Sequence, residues 1–258
     1  MSVVLKVSSA VLVLALSASA ASADLIPGAV PIKFERVPGG ALESTWLPGF
    51  GVGRTFTPLV LPAGDPAIPN PAGDNTVAVL QNNDISLGGI AACGTDPLGF
   101  ADYVWEGDFF TGAGDTRRGL ILRADPTNGF QTFYQFVINA GLFLIRFRKF
   151  VNGAPNPADL ASWQAIVLPG GIPTVNTWHH MKVEALGNQF NCYFDGTLLN
   201  PTPIVDATAP ILTGWVGAYN FSASVGNVPV YFDSMKLSVD RATPAHGTTW
   251  GALKKLYR

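Results

Sequence analysis

The segment WHHMKVEALGNQFNCYFDG, residues 178 to 196, decides the fold of this chain. Successive side chains of a β-strand point to opposite faces, so residues 179 to 185 alternate between an apolar face and a charged one. Gly187-Asn188 is a turn signal, and Asp195-Gly196 is a second one. The segment therefore predicts two antiparallel strands joined by a hairpin, with another hairpin directly after them.

The same segment holds His179, His180 and Cys192, a combination that suggests a metal site. Because the two histidines point to opposite faces, they cannot ligate one ion together while the strand is unbroken. We therefore interpret the segment as a sheet-forming hairpin and not as a metal-binding motif.

Outward from this hairpin, short apolar runs alternate with turn residues from residue 76 onward. The runs include TVAVLQ, ADYVWEGDFF, RRGLILRAD, FQTFYQFVIN, LFLIRFRKFV, WVGAYNF and VPVYFDSMKLSV. Many short strands separated by Gly, Pro and Asn indicate an all-β fold, a sandwich of two antiparallel sheets. Helical spacing competes only in the last dozen residues, where we expect a short C-terminal helix.

Composition and charge narrow the class of protein. The chain has 28 Gly, 20 Pro and 16 Phe with 13% charged residues, which favours β structure. A net charge of −2 gives no electrostatic reason to expect nucleic acid as a partner. Residues 1–23 have the pattern of a secretory signal peptide, with one lysine, a short apolar run and an A-S-A end. We expect no transmembrane segment and a secreted protein, either extracellular or periplasmic.

The rest of the chain divides into three parts. Residues 24–75 are an irregular segment rich in Pro and Gly, with two short strands expected around 32–37 and 54–60. Residues 76–240 carry the regular strand pattern, and residues 241–258 form a C-terminal tail.

The succession DYVWEGDFF, GLILRADPTNGFQTFYQF, LFLIRFRKF, TWHHMKVEALGNQFNCYFDG, GWVGAY and VYFDSMKLS resembles the concanavalin A-like lectin/glucanase superfamily. It is most similar to bacterial secreted modules of these laminin G-like jelly rolls. Each motif encodes turns and core positions, so six in the right order indicate the fold but not an activity.

The resemblance implies one convex and one concave sheet, with saccharides often bound on the concave face. Members of the superfamily include lectins, carbohydrate-binding modules, glycosidases, lyases and adhesion domains. Many hold a structural calcium ion through an acid on the last strand, and Asp233 stands at the matching position. We expect no other cofactor.

Glucanases of this superfamily place their catalytic carboxylates as Glu-x-Asp-x-x-Glu or Glu-x-Asp-x-Glu on one strand. This chain has Glu106 and Asp108 on one strand face but lacks the final glutamate. Retaining glycosidases need two carboxyl groups close together, so the pair is a catalytic candidate. The alternative interpretation is a solvated strand face.

A glycan-binding groove requires planar polar side chains on one surface. Six such residues lie on faces opposite the predicted core: Glu106, Asp108, Arg123, Gln135, Arg146 and Arg148. We predict that they line a mixed-charge groove on the concave sheet. The alternative is that Arg123 forms cross-strand ion pairs with the acids. Further candidates for stacking on a sugar ring, or for packing in the core or at its rim, are Trp163, Tyr193 and Tyr219.

Cys93 and Cys192 are the two cysteines of the chain. In an exported protein they form a candidate disulfide, although buried free thiols are equally compatible with the sequence.

These observations predict a secreted module that binds a polysaccharide, another glycan or a cell-surface component. Two alternatives stay open. One is a glycoside-active enzyme, hydrolase or lyase, that uses Glu106 and Asp108. The other is a structural surface or assembly protein without a ligand, in keeping with the low charge and apolar composition.

Overall fold

The computed structural model describes residues 46–49, 54–60, 76–82, 88–94, 99–110, 117–139, 143–173, 175–222 and 228–238. Its strands form two antiparallel sheets of eight strands each, packed face to face. Short 3-10 turns lie at Pro126–Asn128 and Ala165–Val167. The predicted all-β jelly-roll sandwich is confirmed.

Sheet A is the first of the two sheets, with strands numbered in chain order. Its spatial order is β1 (Trp46–Gly49), β4 (Gly89–Cys93), β15 (Trp215–Phe221), β6 (Arg117–Ala124), β7 (Phe133–Asn139), β8 (Leu144–Val151) and β10 (Ala161–Gln164). The short strand β9 (Ala154–Pro155) pairs with β8.

Sheet B is the second. Its spatial order is β13 (Thr197–Leu198), β12 (Gln189–Phe194), β11 (His179–Leu186), β5 (Tyr103–Phe110), β16 (Val230–Ser238), β3 (Thr76–Asn82) and β2 (Arg54–Val60). The short strand β14 (Ile204–Val205) pairs with β12.

The hairpin that decides the fold forms as predicted. β11 and β12 are antiparallel, with Leu186 opposite Gln189 next to the turn. Asp195 and Gly196 both have positive φ, of 46° and 77°, as a two-residue turn between β12 and β13 requires.

The main core lies between the sheets. Trp105 of β5 is fully buried, and its indole nitrogen donates a hydrogen bond of 3.0 Å to the carbonyl oxygen of Gly217 in the opposite sheet. Met181 and Val183 of β11 enter the same core from the apolar face of the strand. Burying a side chain of this size stabilises the fold by roughly 2–3 kcal/mol.

The outer face of sheet A, which points away from this core, carries a second buried cluster. Phe133 and Phe150 stack there with ring centroids 4.6 Å apart. The other members of the cluster are Ile90, Ala92, Ile121, Ala124, Phe130, Val137, Trp215, Tyr219 and Phe221. Sheet A therefore buries apolar side chains on both faces.

The N-terminal strands extend the sandwich beyond the regular pattern. β2 coincides with the strand expected around 54–60 and pairs with β3, and β1 pairs with β4. The signal peptide at 1–23, the strand expected at 32–37 and the tail with its expected helix lie outside the described residues. Within the described ranges, no helix combines the length and apolar character needed to cross a membrane.

The candidate disulfide does not form. Cys93 and Cys192 are both buried free thiols. Cys93 lies on β4 of sheet A, whereas Cys192 lies on β12 of sheet B, so the two enter the core from opposite sheets.

Candidate functional site

The structure divides the six predicted groove residues among three places. Gln135, Arg146 and Arg148 lie together on the outer face of sheet A. Glu106 and Asp108 lie on the outer face of sheet B. Arg123 lies in the interior. The six therefore do not line one groove.

Arg123 departs from the predicted alternation because β6 contains a β-bulge. Ala124 pairs with Trp215 and Ile121 with Gly217, so two residues of β6 face one residue of β15. Arg123 has a φ of 51°, and its side chain is 0% exposed. The prediction that Arg123 lies on a non-core face is therefore wrong.

The guanidinium group of Arg123 holds three segments together at one end of the sandwich. Nη1 donates hydrogen bonds of 2.6 and 2.7 Å to the carbonyl oxygens of Gly187 and Ile211. Nη2 donates one of 2.8 Å to the carbonyl oxygen of Ala101. The same guanidinium lies over the ring of Phe190, 5.1 Å from its centroid. Arg123 therefore has a structural role, because it joins three backbone segments, and it does not lie on an accessible sheet face.

On the outer face of sheet A, register places the predicted polar residues beside one another. Gln135 of β7 is opposite Arg148 of β8, and Val137 is opposite Arg146. Directly opposed residues of antiparallel strands have Cβ atoms about 5 Å apart. Gln135 and the two arginines therefore lie side by side on this face.

Asp159, in the loop before β10, binds both arginines. Arg146 donates to the two carboxylate oxygens through Nε at 2.7 Å and Nη2 at 3.1 Å. Arg148 donates to Oδ1 through Nε at 2.7 Å. The side chains of Arg146, Arg148 and Asp159 are 18, 14 and 14% exposed. They form a fixed clasp in contact with solvent.

Two buried amides on β7 add hydrogen-bond donors to this face. Gln135 is 2% exposed and Asn139 is 4% exposed. The amide of Gln135 lies against the hydroxyl group of Tyr219 and acts to lower the pKa of that hydroxyl, whereas the Nδ2 of Asn139 has no acceptor among the described residues. An ordered water, an ion or a ligand can satisfy a buried amide donor of this kind.

Aromatic side chains complete the outer face of sheet A. Burial raises the pKa of Tyr219 to about 12, although the neighbouring Gln135, Arg117 and Arg148 act to lower it. Tyr219 therefore stays protonated and neutral. The guanidinium of Arg117 lies 4.8 Å from the ring centroid of Phe221. We name the group of Gln135, Asn139, Arg146, Arg148, Asp159 and Tyr219 the clasp site.

Sequence reasoning missed Asp159 and Asn139. Asp159 lies in the loop segment NGAPNPADLAS, where no alternation of side chains assigns it to a face. Asn139 stands two and four residues after Val137 and Gln135, so the period-two spacing alone places it on their face.

On the outer face of sheet B, His180 bridges the two candidate catalytic acids. Its Nδ1 lies 2.7 Å from Oδ1 of Asp108, and its Nε2 lies 3.5 Å from Oε2 of Glu106. Lys236 approaches the other oxygen of Glu106 at 3.6 Å. Both acids are therefore engaged by basic groups.

The charge state of this cluster opposes acid catalysis. Hydrogen bonds to Asp108 and Glu106 raise the pKa of His180 to about 9. The hydrogen bond from His180 lowers the pKa of Glu106, with smaller contributions from Lys236 and Lys182. A glycosidase needs one carboxyl group that stays protonated near neutral pH, and Glu106 is held ionised instead.

Asp233, the expected calcium ligand, is buried on β16 opposite Asp108. Its Oδ1 accepts a hydrogen bond of 2.7 Å from the backbone nitrogen of Ser234. In the part of the chain that the structure describes, no three His, Cys, Asp or Glu side chains are placed to hold a metal ion. The role of Asp233 as a calcium ligand stays a prediction.

Comparisons with known proteins find similar solved structures but no family. No protein-family model and no curated protein matches the sequence. A carbohydrate-binding module, CBM66 from Bacillus subtilis, is 21% identical over 62% of this chain and 86% of its own, with a TM-score of 0.49. A B. subtilis protein of unknown function with a galectin-like fold is 12% identical over 75% and 88%, with a TM-score of 0.48.

A third similar structure is the Caenorhabditis elegans galectin LEC-6, 10% identical over 56% of this chain and 87% of its own, with a TM-score of 0.39. At these identities and TM-scores, the likenesses carry no argument about an activity.

Proposed function

We propose that this protein is an exported module that binds a glycan at the clasp site on the outer face of sheet A. The observation that carries the proposal is the pairing of Arg148 with Gln135. Among the described residues the hydrogen bonds of Arg148 use only its Nε, so its two terminal nitrogens remain as donors beside the amide of Gln135. Adjacent donors of this kind suit the hydroxyl, ring and carboxylate oxygens of a sugar.

The rest of the clasp site supplies the other requirements of saccharide recognition. Asp159 fixes both arginines in orientation, so little side-chain entropy is lost when a ligand binds. Tyr219 and Phe221 are buried, at 3% and 7% exposed, in the apolar cluster beside these polar groups. The net charge of the two arginines and Asp159 is positive, which favours neutral and acidic sugars over basic ones.

A glycan array with neutral and acidic saccharides tests the proposal. Arg148→Ala and Gln135→Leu each remove a donor, and we expect each to weaken binding about tenfold or more. Lys236→Ala removes an exposed cation from the opposite sheet and is the matched control, expected to bind as the wild type does. Absence of binding to every glycan would contradict the proposal.

A reducing-end release assay on the same saccharides separates binding from catalysis. We expect no release, because Glu106 is ionised and paired with His180. Release that disappears in Glu106→Gln would replace the binding module with a glycoside-active enzyme.

A further inference from the structure

A groove of about 450 Å³ lies on sheet B, at the end of the sheet where the β11–β12 hairpin turns. Its volume falls within the range of small-molecule sites. The groove is lined chiefly by Asp102, Val104, Glu184, Leu186, Gln189 and Asn191. It uses none of the residues of the clasp site and is independent of the proposed function.

The two charged side chains that line the groove are both negative. The side chains of Asp102 and Glu184 are 45% and 35% exposed. The nearby Lys182 pairs with Glu184 at 2.9 Å and lies 3.8 Å from the ring centroid of Tyr193. The other nearby cation, Arg123, is fully buried and lies 4.0 Å from a carboxylate oxygen of Asp102. Each carboxylate is therefore more exposed than the cation paired with it.

Both carboxylates are held in place. Glu184 accepts hydrogen bonds from Tyr193 at 3.0 Å and from Asn191 at 3.3 Å, in addition to the ion pair with Lys182. Burial acts to raise the pKa of Glu184, but these hydrogen bonds outweigh it and lower the pKa. Asp102 accepts a hydrogen bond of 2.7 Å from the backbone nitrogen of Gly187.

Arg123 fixes the walls of the groove from beneath. Its hydrogen bonds to the carbonyl oxygens of Ala101 and Gly187 hold the residues next to Asp102 and Leu186. Its contact with Phe190 holds the start of β12. The spacing of the two carboxylates is thus set before any ligand binds, which lowers the entropic cost of binding.

We propose that this groove binds a small polar ligand with a primary ammonium group, of which an amino sugar is the type. The ammonium group pairs with Asp102, and its three donors match the carboxylate and amide oxygens at the groove. The remaining hydroxyl groups contact Gln189 and Asn191.

Calorimetry at about pH 6, where the amine is protonated, compares two matched probes: a glucosamine trimer and the same trimer fully N-acetylated. We expect the amine form to bind at least about tenfold more tightly, and added salt to weaken it. Equal affinity for both probes, or no binding of the amine form, would overturn the proposal.

Variants locate the binding. We expect Asp102→Asn and Glu184→Gln each to weaken the amine probe about tenfold, with thermal unfolding confirming that each variant is folded. Lys236→Ala removes an exposed charge that belongs to neither site, and as the control it is expected to leave amine binding unchanged. Loss of amine binding in Gln135→Leu but not in Asp102→Asn would place the ligand at the clasp site and refute this inference.

Discussion

Arg148 and Asp159 form an ion pair of 2.7 Å between Nε and Oδ1, and Arg146 binds the second oxygen of the same carboxylate. The aspartate comes from a loop, whereas the two arginines come from one strand. One loop residue thus orients two neighbouring side chains of the sheet, and the orientation of the clasp site depends on it.

Asp159→Ala removes the acceptor of both arginines. We expect the free energy of unfolding to fall by about 1–2 kcal/mol, because the pairs are largely shielded from water. Urea denaturation measures this change, with Lys236→Ala as the control for losing an exposed charge. Unchanged stability in Asp159→Ala would mean that the two arginines are not held by this residue.

Arg123→Met leaves the carbonyl oxygens of Ala101, Gly187 and Ile211 without their donor. Each unsatisfied buried acceptor costs roughly 1 kcal/mol or more, so we expect a loss of about 3 kcal/mol in the free energy of unfolding. Arg123→Lys keeps the charge but cannot reach all three acceptors with the same geometry, and a smaller loss is expected. A loss below about 1 kcal/mol in Arg123→Met would contradict this role.

Lys149 and Asp206 form a buried ion pair of 2.8 Å between Nζ and Oδ2. Lys149 also donates to the carbonyl oxygens of Thr208 and Ala209, and the hydroxyl group of Tyr134 donates to Asp206. Lys149→Met leaves the buried carboxylate of Asp206 without its cation. We therefore expect the free energy of unfolding, measured by urea denaturation, to fall by about 3–5 kcal/mol. The double variant with Asp206→Asn should recover part of this loss, and no recovery would show that the pair is not coupled.

His180 makes stability depend on pH in the alkaline range. Its pKa is raised from 6.5 to about 9 in the folded protein by its hydrogen bonds to Asp108 and Glu106. The stabilisation is complete below 6.5 and is lost as the pH rises through 9. Because the imidazole is partly exposed, we expect the loss to be only about 1 kcal/mol.

Proton NMR of the imidazole of His180 measures this pKa directly. His180→Asn should remove the corresponding loss of stability, which separates the effect from the deprotonation of lysines and tyrosines. A titration midpoint near 6.5 would contradict the hydrogen bonds to the two acids.

The period-two pattern predicted the faces of β5, β8 and β11 because these strands are regular over their length. It also brought Gln135, Arg146 and Arg148 together, because β7 and β8 follow one another in sequence and pair directly. The alternation of side chains and the short connection between β7 and β8 were therefore sufficient to predict that Gln135, Arg146 and Arg148 lie together.

The alternation of side chains does not predict which of the two sheets a strand joins. Glu106 and Asp108 join sheet B because β5 pairs with β11, about seventy residues further along the chain. Arg123 turns inward because of a single extra residue in β6, which no turn signal marks. Both outcomes depend on long-range pairing and not on local propensity.

The most direct test of glycan binding at the clasp site is calorimetric titration with the saccharide that gives the strongest array signal. Wild type, Arg148→Ala, Gln135→Leu and Lys236→Ala are compared under the same conditions. We expect Arg148→Ala and Gln135→Leu each to lose affinity by about tenfold or more, and Lys236→Ala to bind as the wild type does. Full affinity in Arg148→Ala and Gln135→Leu would contradict glycan binding at the clasp site.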